Sequence, residues 1–60
     1  MTKRIKPVEL EELVEVTAAT LITETHDLGV AVVHVGIHPT LGAITLVSTF
    51  GEKHAIVEHA

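Results

Sequence analysis

Apolar and polar positions alternate from Val30 to Ile37, and the alternation sorts a predicted strand into two sides. Ala31, Val33, Val35 and Ile37 fall on one, and Val30, Val32, His34 and Gly36 on the other. Both sides carry apolar residues, so both need cover. The first set is expected against a helix. The second, half apolar, is expected at a contact between subunits, with Val30, Val32 and His34 as the interface residues.

The same two-residue period continues downstream. Ala43 to Phe50 places Ile44, Leu46 and Phe50 opposite Thr45, Val47 and Thr49, and His54 to His59 reads as a short third strand. Pro39 and Gly42 mark a loop between the first two strands: proline presets one turn dihedral and glycine supplies a positive φ. Gly51-Glu52-Lys53 makes the next turn.

Upstream the period lengthens to that of a helix. Leu10, Leu13, Val14, Thr17 and Leu21 gather on one face, with Glu12, Glu15, Ala19 and Thr23 opposite. Pro7 suits a first helical position, and Glu9, Glu11 and Glu12 suit the positive end of a helix dipole. The threonines at 17, 20, 23 and 25 favour strand, so a helix ending near Ala19 competes with one running on toward Thr25. His26 and Gly29 fit the closing residues of the longer helix, which makes the His26-Asp27 pair a cap. The expected fold class is α+β: one N-terminal helix followed by a three-stranded antiparallel meander, completed by homo-oligomerisation.

Length sharpens that last point. Sixty residues without a cysteine form one small domain, assigned to residues 7–60, and cannot use a disulfide. Folds of this size supply only about 3 to 5 kcal/mol from one core unless metal or association helps. Apolar residues make up 47% of the chain but are mostly small or branched, with one Phe and no Trp or Tyr. Aromatic platforms for stacking bases or sugars are therefore lacking. No secretion signal and no apolar run near the ~20 residues of a membrane span is visible, which gives a cytoplasmic expectation and no membrane partner.

Net charge is −4, unevenly spread: Lys3, Arg4 and Lys6 form a basic arm within residues 1–6, expected to be flexible, while the remainder is acidic. A dimeric DNA-associated regulator using that arm is the alternative reading, opposed by the acidic body and by strand faces poor in base-reading side chains.

Five histidines are the one chemical excess. His34 and His38 share a strand side but stand roughly 13 Å apart along an extended chain, too far for one zinc with ~2.0 to 2.1 Å bonds. No metal and no cofactor is expected. Were His34 at an apolar dimer contact, its protonation would weaken the dimer. Ser48 is the single serine and sits mid-strand, so no catalytic residues and no enzyme activity are expected, and the scattered glycines make no phosphate cradle. Glu9, Glu11, Glu12 and Glu15 remain as an acidic docking patch for another protein. The leading expectation is a non-enzymatic homodimeric interaction module, joined through a sheet face or a strand edge. Its small size and acidic body suit the accessory proteins of phages and other mobile elements, an analogy that fixes no function.

Overall fold

Three consecutive antiparallel hairpins follow a helix, and the strand next to that helix in sequence extends them. In the computed structural model, which describes residues 3–51 and 53–59, the elements are β1 (Lys3–Val8), α1 (Leu10–Ala19), β2 (Leu21–Asp27), β3 (Ala31–His38), β4 (Gly42–Thr49) and β5 (His54–His59). The sheet order is β1-β5-β4-β3-β2, every pair antiparallel.

The expected meander is therefore the middle of a larger sheet. Its two flanking strands come from segments read as something else. From Lys3 onward, the basic arm is edge strand β1, paired with β5 from Lys3↔His59 to Val8↔His54; residues 1 and 2 lie outside the described residues. Pro7 sits in this strand and not at a helix start, which an edge strand tolerates because one side of its backbone bonds to nothing.

The helix takes the earlier of the two stops. Thr20 turns extended (φ −91°, ψ 135°), and its N–H donates to the Thr17 carbonyl at 3.1 Å. The hydroxyls of Thr17 and Thr20 donate back to the carbonyls of Leu13 (2.7 Å) and Val16 (2.6 Å); the second occupies an acceptor that the helix end leaves open, because the Thr20 N–H goes to Thr17 instead. The threonine-rich run beyond becomes β2, as β-branched residues prefer. His26 and Asp27 thus belong to a strand and not to a helix cap. Gly29 does adopt a positive φ, 84°, but it closes the β2–β3 hairpin: its N–H donates to Asp27 Oδ1 at 2.9 Å, and the Leu28 N–H to the Ala31 carbonyl at 2.8 Å. Glu52, in the expected turn 51–53, lies outside the described residues.

The core is small. Leu13 of α1 packs on Ile44, Leu46 and Ile56, which are 0%, 1% and 2% exposed, with Val8, Val16 and Ile22 around them. These contacts identify the side of the sheet that α1 covers. By register, Val32, His34 and Gly36 share that side, since they stand opposite Ser48, Leu46 and Ile44. The alternation on β3 is as the sequence predicts, but its assignment is reversed: Ala31, Val33, Val35 and Ile37 face away from the helix. No helix among the described residues is long and apolar enough to cross a membrane.

Candidate functional site

Carried across all five strands, the registers define the side that α1 leaves open. Val33, Val35 and Ile37 of β3 stand beside Val47, Thr45 and Ala43 of β4, and Val57 and Ala55 of β5 continue the rows to Ile5 and Pro7. On β2 the same side holds Leu21, Glu24 and His26. The three central strands place no Asp, Glu, Lys or Arg on this side; Glu58 is on the other. Ile5, Leu21 and Ile37 are 69%, 69% and 55% exposed, and no described element covers them.

The sheet edges are less inviting than its face. Edge strand β1 carries Arg4, Lys6 and a proline that cannot donate a ladder hydrogen bond, and edge strand β2 has a register shift between Ile22 and Glu24. At that irregularity the Thr23 hydroxyl donates to the Val35 carbonyl at 3.1 Å. Charges, proline and bulges are the devices that keep edges from pairing with other chains.

On the helix side, α1 packs chiefly over β4 and β5 and leaves part of β3 uncovered. The gap is a groove of 460 Å³ between Leu13, Val14 and Ala18 of the helix and Val32 and Leu46 of the sheet. Three polar residues, Thr17, His34 and Ser48, also line it: the Thr17 hydroxyl donates to the Leu13 carbonyl, while the other two are tied to neighbouring strands, His34 Nδ1 lying 3.0 Å from Thr25 Oγ1 and Ser48 Oγ 3.0 Å from His54 Nδ1.

Every histidine has a hydrogen-bond partner. His59 Nε2 meets Thr45 Oγ1 at 2.7 Å, and His26 Nε2 meets Glu24 Oε2 at 3.3 Å. His38 Nδ1 accepts from the N–H groups of Thr40 (3.2 Å) and Leu41 (3.1 Å), which ties the β3–β4 turn. Three of these contacts join an imidazole to a hydroxyl on the adjacent strand. Two of them, Thr25–His34 and Ser48–His54, are directly opposed pairs that pin the register. Among the described residues, no three His, Asp or Glu side chains gather as a metal-ligand set. The Ser48–His54 contact has the separation of a nucleophile and base, but among the described residues no carboxylate bonds to the other ring nitrogen of His54.

The sequence-derived candidates land in separate places. Val32 and His34 line the groove, on the side away from the open sheet face, and Val30, 77% exposed, precedes β3 in the chain and pairs in neither ladder of that strand. Glu9 is the N-cap residue without a side-chain cap bond, and Glu11 and Glu12 fill the first turn. Glu12 is 3.1 Å from Lys6 Nζ, while Glu9, Glu11 and Glu15 are exposed. Arg4 and Lys6 stand opposite Glu58 and Ile56, on the helix side of the sheet. Sequence periodicity missed the open face, because Ile5, Pro7 and Leu21 join it only through pairings between distant segments. No protein-family model, curated protein or solved structure matches the chain.

Proposed function

We propose that the chain is a non-enzymatic homodimeric interaction module in which two copies stack their open sheet faces, with the helices outside. The observation that carries this reading is the apolar face free of formal charge across β3, β4 and β5. Sheets pack face to face about 10 Å apart through such surfaces. A second copy brings an identical apolar face, which a two-fold axis makes self-complementary.

Areas agree with that occupant. The molecule measures 27 × 23 × 20 Å, so its broad face covers roughly 600 Å² and a stacked pair would bury roughly 1,200 Å², the lower end of stable interfaces. A compact 6.4 kDa monomer would expose about 3,800 Å²; this chain exposes 4302 Å². The excess is close to the area of one sheet face. In such a dimer Glu9, Glu11 and Glu15 are displayed twice on the outer layer, offering a basic partner protein two equivalent patches. His34 would lie outside the contact, so its protonation would not act there directly.

Sedimentation equilibrium over a range of concentrations tests the reading. The wild type should approach twice 6.4 kDa, and Val47→Glu, placed mid-face, should sediment as a folded monomer. A wild type that remains at 6.4 kDa at about 100 μM, a concentration at which micromolar interfaces are occupied, ends the proposal.

A further inference from the structure

We infer that the groove between α1 and the β3–β4 hairpin binds a small uncharged molecule with an apolar body and one hydroxyl. The inference is independent of the dimer, because the groove lies on the opposite side of the sheet from the open face.

The groove exists because one ten-residue helix is too narrow to cover five strands. α1 joins strands at opposite edges of the sheet, and its core contacts through Leu13 hold it over Ile44, Leu46 and Ile56. Val14 remains 57% exposed on the flank that looks over β3. At 460 Å³ the space falls within the ~300 to 1,000 Å³ of small-molecule sites, and its makeup is theirs too: apolar walls with a few convergent polar groups.

Those polar groups select the ligand. Among the described residues no charged side chain lines the groove, so an ionised ligand would give up hydration without meeting a counter-charge. The Thr17 hydroxyl is committed to the Leu13 carbonyl, which leaves His34 and Ser48. Thr25 holds Nδ1 of His34, so Nε2 is the ring nitrogen left for a ligand, as donor or acceptor according to tautomer. Ser48, already bonded to His54, keeps capacity for a second hydrogen bond. A ligand hydroxyl both donates and accepts, and therefore matches either tautomer of His34.

The test is an NMR titration of ¹⁵N-labelled protein with 4-ethylphenol, 4-ethylbenzoate and 4-ethylbenzylammonium, three probes that share a body and differ in charge. The phenol should give saturable shifts centred on the amides of Val14, Ala18, Val32, His34 and Ser48. The two charged probes should bind about tenfold or more weakly, the cost of an uncompensated charge at a partly open site. Ala18→Trp, a change at an exposed position that fills the groove, should abolish the shifts and leave the molar mass unaltered. Ser48→Ala should weaken the phenol by about 2- to 10-fold, the worth of one neutral hydrogen bond, and it decides alone should the tryptophan variant unfold. Equal binding of all three probes, shifts that map to Val33 and Val47, or full affinity in the variants would each overturn the assignment, as would the lack of any saturable shift.

Discussion

Gly36 lies under Thr20. A methyl group on Gly36 would stand 2.8 Å from the Thr20 Cγ2, and nearer still to the Leu21 carbonyl oxygen. The exit from α1 thus passes over β3 at a point where β3 has no side chain. Thr20 itself is 9% exposed there, with its hydroxyl bonded back to the helix. Gly36→Ala should lower the unfolding free energy by about 1 to 3 kcal/mol, the usual cost of forcing atoms into a filled site. Urea unfolding measures it, and an unchanged midpoint would mean that the crossing relaxes freely.

Core and open face should respond differently to truncation. Ile44 is fully buried beneath α1, so Ile44→Ala should cost about 2 to 5 kcal/mol at any protein concentration. Ile37 is 55% exposed on the open face, so Ile37→Ala should act mainly through association. Its effect on the thermal midpoint should grow with concentration, as linkage to dimerisation requires. A concentration-independent loss would place Ile37 outside any subunit contact.

Pro7 guards an edge. Its ring removes a donor from edge strand β1, so Pro7→Val should restore that donor with a residue that strands favour. Light scattering on the variant should show species larger than those of the wild type. Identical profiles would mean that the charges of Arg4 and Lys6 suffice to protect the edge.

The basic segment should bind duplex DNA poorly. Lys6 is engaged by Glu12 at 3.1 Å, and Arg4 stands opposite Glu58. An acidic body then opposes contact with phosphates. A fluorescence titration at low salt should show no binding at micromolar protein. Tight association that falls steeply with added salt would instead support the regulator reading. The Lys6–Glu12 pair is about half exposed on both sides, so Glu12→Gln should change stability by less than about 0.5 kcal/mol.

Much of the sheet was legible because its signals are local. The hairpins from β3 to β5 follow from two-residue alternation and from glycine and proline at the turns, and the positive φ of Gly42, 76°, is what its loop position requires. β2 was ambiguous for a physical reason: four threonines, an isoleucine and an end-of-helix glycine satisfy both a frayed helix and a strand. β3 decided the matter by supplying backbone partners from Ile37 back to Val32. The groove left less trace, since Val14, Ala18, Val32 and His34 meet only after the chain has crossed the sheet.

The sequence by itself determined which side chains travel together on β3, β4 and β5, where the turns between those strands fall, and that a chain of this length holds more apolar surface than one helix can cover. Tertiary structure decided which side of the sheet the helix covers and which segments became its edges. Parity assigns residues to a side without saying which side is sheltered. That choice depends on β1 finding β5 some fifty residues away and on the clearance that Gly36 leaves for Thr20 and Leu21. Neither is encoded in any short stretch, because both are contacts between segments that are far apart along the chain.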